Sequence, residues 1–187
     1  MYYNNYEFDE NKNYLIYFRG GFCPPTKGHV SLVEKYIDLP NVKYFLHQIG
    51  DEKRHGVPYW LNRKIWKIYI HELFPKDKII LRKMASSLEV LDHIENVDVV
   101  ILIKGNEGMN EEEEYKLKTR YYPLKRELKK KGLLFHFLII DRPELNKISA
   151  TKFVDDISKG KSGYQYIPRK LSKKASKYII HKLKKFD

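Results

Sequence analysis

Apolar residues follow two rhythms along this chain. Unbroken runs such as Tyr14-Leu15-Ile16-Tyr17-Phe18 and Leu133 to Ile140 read as strands buried on both faces. Elsewhere the apolar positions recur at helical spacing, as at Val30, Val33 and Ile37. Together they predict strands at 14–19, 42–49, 78–83, 97–104 and 133–140. Helices are predicted at 28–37, 60–74, 87–95 and 111–131, with a short one after 150 and a longer one from about 168. Pro123 should kink or split the fourth helix. Strands alternating with helices imply βαβ units. The expected fold is therefore α/β, a five-stranded, mostly parallel sheet with helices on both faces and a C-terminal helical segment. No internal repeat and no Pro/Gly/Ser-rich linker divides the chain. Residues 1–187 read as a single domain, with a polar, Asn-rich extension at 1–12 and a basic helix at 168–187.

One junction carries chemistry. Between the first long strand and the first helix lies Arg19-Gly20-Gly21-Phe22-Cys23-Pro24-Pro25-Thr26-Lys27-Gly28-His29. A glycine-rich turn opening a helix aims backbone N–H groups and the positive end of the helix dipole at one place, which suits a phosphate. Gly20 and Gly21 permit close approach of a ligand, and Gly28 leaves room at the helix start. His29 falls in the first helical turn, at the lip of that site.

Gly21-Phe22-Cys23-Pro24-Pro25-Thr26-Lys27-Gly28-His29 resembles the G-x-F-x-P-x-[HT]-x-G-H signature of the nucleotidylyltransferases. That resemblance implies a Rossmann-like fold. Thr26 takes the place of the first histidine, and Cys23 stands where Asp or Asn is more usual. After the last apolar strand, Ile148-Ser149-Ala150-Thr151-Lys152 is similar to the family's I-S-S-T-x-x-R segment, which covers the triphosphate from the other side. The hydroxyls of Ser149 and Thr151 can cap a helix and donate to phosphate oxygens. The closing arginine of that segment is replaced by Val154. Lys152 could supply a charge there, as a point donor and not a fork, and Arg142 and Arg169 are further candidates.

Three segments resemble the nicotinamide/nicotinate mononucleotide adenylyltransferase branch. They are Ser86 to His93, similar to T-x-x-V-L-x-H; the strand and glycine loop Val99 to Asn106, with Gly105 and Asn106 near an I-I-G-A-D pattern; and Gly160-Lys161-Ser162 with Tyr166-Ile167-Pro168. The acceptor implied is nicotinamide or nicotinate mononucleotide, in NAD biosynthesis. Phosphopantetheine is the alternative acceptor, because T-x-G-H and the glutamates at 111–114 also fit that branch. Cytidylyltransferases fit less well, since their R-T-x-G-I-S-T-T form is absent.

The resemblance implies transfer of a nucleotidyl group from a nucleoside triphosphate, with ATP the favoured donor, to a phosphate-bearing small molecule, with pyrophosphate leaving. His29 would donate to the α- or β-phosphate, and Thr26 would touch the triphosphate or the attacking phosphate. Lys53 would neutralise the reacting phosphates, with Arg54 as understudy. Gly21, Phe22, Gly28, Gly105, Asn106, Ser149, Thr151 and Lys152 would contact the nucleotide. Arg63 would hold the acceptor's phosphate and Trp60 would stack on its ring, though Trp60 equally suits a core position at a helix start. Mg2+ is expected on the phosphates, with no protein metal site.

Composition narrows the alternatives. The 187 residues carry a formal net charge of +12, much of it late in the chain. The plain reading of that charge is a solvated face. No zinc spacing or RNA-binding signature accompanies it, which argues against nucleic acid. No apolar run approaches the length of a membrane span. The single cysteine and the polar N-terminus favour a cytoplasmic location. Oligomeric state stays open, a homo-oligomer included. A nucleotide-binding protein that has lost catalysis is the reading of another class, suggested by Val154 and Asn106. A basic nucleic-acid-binding module is a third.

Overall fold

The structure is a computed structural model that describes residues 2–3 (backbone only), 6–50, 52–75, 77–105, 110–140 and 149–186. Six strands run in chain order: β1 (Tyr2–Tyr3), β2 (Tyr14–Gly20), β3 (Val42–Ile49), β4 (Ile79–Lys83), β5 (Val99–Gly105) and β6 (Leu134–Ile140). They form one sheet in the order β1-β6-β5-β2-β3-β4, and every pairing is parallel. The five predicted strands are all present and parallel. β1 adds two residues at one edge, so part of the N-terminal extension joins the sheet, and Tyr6 and Phe8 behind it pack their rings on Tyr14.

The five α-helices are α1 (Lys27–Ile37), α2 (Tyr59–Leu73), α3 (Glu111–Lys130), α4 (Ala150–Ser158) and α5 (Lys173–Leu183). Along β2, Tyr14, Ile16 and Phe18 enter the core shared with α1, α2, α4 and α5. Leu15 and Tyr17 enter the core beneath α3. This two-sided burial is why the strand reads as an unbroken apolar run instead of an alternating one. Each large side chain so buried contributes on the order of 2 kcal/mol. Among the described residues, no helix is long and apolar enough to cross a membrane.

Three predicted helices differ in the structure. The 87–95 segment is a 3-10 helix, Ser87–His93, opened by the Ser86 side chain accepting from the Leu88 N–H. The last helix begins at Lys173 and not near 168. Ser172 caps it by accepting from the Ala175 N–H, and Glu72 in turn accepts from the Ser172 N–H and hydroxyl. Pro123 lies inside one continuous helix, α3, instead of splitting it. Its ring and Thr119, four residues earlier, are both exposed, so water can satisfy the carbonyl that loses its partner.

Candidate active site

The turn after β2 is held by close backbone contacts. Phe22 has a left-handed φ of 40° and folds its ring back over Gly20, where a Cβ would come within 2.6 Å of the ring. A Cβ on Gly21 would lie 1.9 Å from Nη1 of Arg54. These two glycines are therefore sites of close packing, one against an aromatic ring and one against a guanidinium. Buried Asn62 on α2 donates from Nδ2 to the Gly21 carbonyl at 3.2 Å. The Cys23 thiol is buried and directed at the carbonyls of Arg54 and Val57, and desolvation pushes its pKa up to about 11. A small weak donor at this position ties the turn to the loop that follows β3. It does not form the thiolate a nucleophile requires.

Thr26 and His29 form a reciprocal capping box at the start of α1. The Thr26 N–H donates to His29 Nδ1 at 3.1 Å, which leaves Nε2 as the N–H of the neutral ring. Thr26 itself is 0% exposed. Thr26, expected to touch a phosphate, is thus buried in this structure, with its Oγ1 3.3 Å from His29 Nδ1. The edge of Phe22 packs on His29 with ring centroids 5.1 Å apart. Below them His47 stacks on Phe18, lies tilted against Phe22 and meets Trp66 edge to face, and burial drives its pKa down to about 3.

A cavity of about 530 Å³ opens at the C-terminal ends of the strands. Its walls include Phe18, Arg19 and Gly20 at the end of β2 and Leu102 to Gly105 at the end of β5. The chain leaves β2 toward β3 and β4 in one direction, while β5 and β6 build the sheet in the other. The cavity thus lies at the switch point of the sheet, where open α/β folds bind ligands. Arg19, Arg54, Lys104 and Arg120 all line it, and no carboxylate does among the described residues. Arg19 is fixed in place: Nη2 donates to the Ala85 carbonyl at 2.7 Å and Nη1 to the Tyr17 hydroxyl at 3.3 Å. Tyr17 donates to Gln48, which donates to Glu89. A held guanidinium among three other cations is a strong place for a polyanion.

The segment similar to the family's second phosphate motif sits at the start of α4. Ser149 accepts from the Lys152 N–H at 3.0 Å as the N-cap. Thr151 and Lys152 are exposed, and Thr151 Oγ1 lies 3.5 Å from Nε2 of His55. His55 follows Arg54, which rests against Gly21, so the 54–57 loop links the two phosphate-like segments. Val154 packs partly into the core. Beyond it, Lys161 and Tyr166 both donate to Asp156, which is 5% exposed. Lys161 first, then Tyr166, hold the Asp156 carboxyl below its ordinary range. The Gly-Lys-Ser and Tyr-Ile-Pro segments thus act here as an internal lock.

Of the residues singled out in the sequence, the cavity gathers Phe22, Gly105 and Arg54, with Gly21 against Arg54. His29 stands behind Phe22, and Thr26 behind His29. Lys53 is exposed and does not line the cavity; its understudy Arg54 does. Gly28 lies in the first turn of α1, where its carbonyl accepts from Ser31. Trp60 is 53% exposed and packs edge-on against Phe186, and Arg63 is half-buried one position past Asn62 on α2. Neither belongs to the cavity wall. Asn106 and Arg142 lie outside the described residues. Arg19, Lys104, Arg120 and Tyr121 line the cavity without belonging to either phosphate-like segment's expected contacts. Arg19 and Lys104 did leave a trace: each is a cation closing an apolar strand, and the two strands prove to be neighbours. Arg120, on a helix rich in exposed charge, left none.

In backbone course the chain is similar to the Plasmodium falciparum nicotinic acid mononucleotide adenylyltransferase complexed with NaAD. The TM-score is 0.60 at 18% identity, over 94% of this chain and 98% of that one. This chain shares that enzyme's fold. The same Plasmodium enzyme complexed with APC gives a TM-score of 0.56, again at 18% identity and with the same coverage. No protein-family model matches the sequence, and no curated protein matches it.

Proposed function

We propose that this protein is a nucleotidylyltransferase. It transfers a nucleotidyl group, with ATP as the favoured donor, to the phosphate of nicotinamide or nicotinate mononucleotide and releases pyrophosphate. The observation that carries this reading is the cation-lined cavity at the switch point of the sheet, with Arg19, Arg54, Lys104 and Arg120 on its walls. Those charges suit a triphosphate and a second phosphate brought together, two anions that repel each other in water. The fold shared with the Plasmodium enzyme supports the same reading.

In this account the acceptor phosphate attacks the α-phosphorus in line and pyrophosphate departs. The protein contributes alignment and donors aimed at developing charge, and forms no covalent intermediate. His29, its tautomer set by the Thr26 N–H, offers Nε2–H to a phosphate oxygen once Phe22 yields access. Arg54 takes the phosphate-neutralising role expected of Lys53. Gly105 borders the nucleotide, and Ser149, Thr151 and Lys152 close over the triphosphate through the 54–57 loop. Among the described residues no group of His, Cys, Asp or Glu could hold a metal. The cavity's described side chains offer Mg2+ no carboxylate, so Mg2+ would enter only with the nucleotide, held by phosphate oxygens and water, and would there offset phosphate charge.

The test is pyrophosphate release with ATP and CTP against nicotinate mononucleotide, nicotinamide mononucleotide and phosphopantetheine. Turnover with ATP and either mononucleotide is expected; turnover only with phosphopantetheine or only with CTP would reassign the substrate. A second reading, a nucleotide-binding protein without catalysis, draws on the core-facing Val154. Nucleotide binding with no turnover on any acceptor would favour it.

A further inference from the structure

A second cavity, of about 430 Å³, lies in the C-terminal segment. Its walls are apolar at Ile167 and Leu171 and aromatic at Tyr164, which is 47% exposed. Arg169, Lys173 and Lys177 stand around it, all exposed. Ser176 also lines it, although only 8% of that residue is exposed. Its backbone N–H is spent on the Ser172 carbonyl, and its side chain borders the cleft. A serine bordering a cleft ringed by three cations offers a bound phosphate one neutral donor beside three charged ones.

The charge around the cleft is one-sided. From residue 159 to residue 186 the sequence holds ten lysines and arginines and no aspartate or glutamate. α3 shows the opposite habit, with Lys116, Lys118 and Lys130 each paired to a glutamate on the same helix. In the C-terminal segment three cations reach carboxylates outside it: Lys159 pairs with Asp155, Lys161 with Asp156 and Lys170 with Glu34. Among the described residues no ion pair is recorded for Arg169, Lys173 or Lys177. The N-terminus of α5 is already capped by Ser172 and held by Glu72, so the side chains, and not the helix end, provide the anion contacts.

We propose that this cleft binds a nucleoside phosphate, either a free mononucleotide or one unit of a single-stranded nucleic acid. The phosphate sits among Lys173, Lys177, Arg169 and the Ser176 hydroxyl, and the flat ring lies against Tyr164 and the apolar wall. The site is separate from the switch-point cavity and does not depend on the activity proposed for it.

Amide NMR of the whole protein can locate such binding directly, with AMP and a twelve-residue oligoadenylate as the two probes. Saturable shifts are expected at residues 164–177, weakening as salt rises. The exposed double substitution Lys173→Glu/Lys177→Glu is expected to raise Kd about tenfold or more at low salt. Arg120→Ala, in the other cavity, should leave these shifts unchanged. If both probes act, a free mononucleotide suffices; if only the oligomer acts, the unit of a strand is the ligand. Shifts confined to the neighbourhood of Gly20, Lys104 and Arg120 would overturn the proposal. So would shifts at 164–177 that survive the double substitution unchanged.

Discussion

The two segments that resemble phosphate-binding motifs are built differently. The turn after β2 is held by tight contacts: a ring over Gly20, a guanidinium against Gly21, a buried amide on the Gly21 carbonyl and a threonine 0% exposed beneath His29. The start of α4 instead has an ordinary N-cap, exposed Thr151 and Lys152, and a valine turned to the core. One region borders the cation-lined cavity. The other is organised around its own stability, down to the Lys161–Asp156–Tyr166 lock. Similar spelling therefore does not mean similar commitment to chemistry, and substitutions in the two regions should separate them.

The largest effect is expected at His29. Its replacement, His29→Ala, should lower turnover by roughly 10²–10³, as loss of one preorganised donor does, while the melting temperature changes little. Steady-state pyrophosphate release together with a thermal melt checks both halves. Equal turnover in the variant would mean that the histidine only caps α1.

Gly21→Ala comes next. The added methyl collides with the far end of Arg54, a flexible side chain, so the fold should survive while the guanidinium moves away. A charge-assisted contact is worth about 1.5–3 kcal/mol, which corresponds to a rise of roughly tenfold or more in the KM for ATP. An unchanged KM would show that Arg54 does not touch the nucleotide.

His47 tests the ground on which the turn rests. Its folded pKa, about 3, lies below the ordinary histidine value, so between those values the unfolded chain binds a proton that the native state does not. Stability should therefore be full near neutral pH and fall as pH drops from about 6.5 toward 3. His47→Leu is expected to flatten that acid slope in chemical denaturation followed across pH. A slope that persists unchanged would assign acid lability to other groups.

The smallest effects belong to the α4 segment. Lys152→Ala should raise the KM for ATP by only a few-fold, as befits an exposed lysine on a phosphate. Val154→Arg should cost about 1–3 kcal/mol of stability by placing a charge at a half-buried core position, without tightening ATP binding. A marked fall in the KM for ATP in Val154→Arg would show that this helix does reach the phosphates.

Much of the fold was legible because burial leaves a direct trace in sequence. β2 and β5 are apolar at consecutive positions because both faces are covered. What was not legible depended on partners distant along the chain. Ser172 could not be told from a helix interior until Glu72 appeared across from it. Thr26 looked like a ligand contact because a hydroxyl on a cap and a hydroxyl on a phosphate have the same letter. Only its burial separates the two. Pro123 looked like a break because sequence does not report that its ring faces water. The cavity itself was half visible: its glycines and Phe22 stand in the turn, but Arg120 comes from a helix that pattern alone marks as solvated surface.

The central claim is that the cationic cavity at the switch point holds the nucleotide. Thermal stabilisation by Mg-ATP tests it most directly, measured on the unaltered protein and on Arg54→Ala and Arg120→Ala, since a ligand that binds only the native state raises its stability. The expected result is a concentration-dependent rise in melting temperature for the unaltered protein that is much reduced in both variants. No rise at all, or the same rise in all three proteins, would contradict the claim.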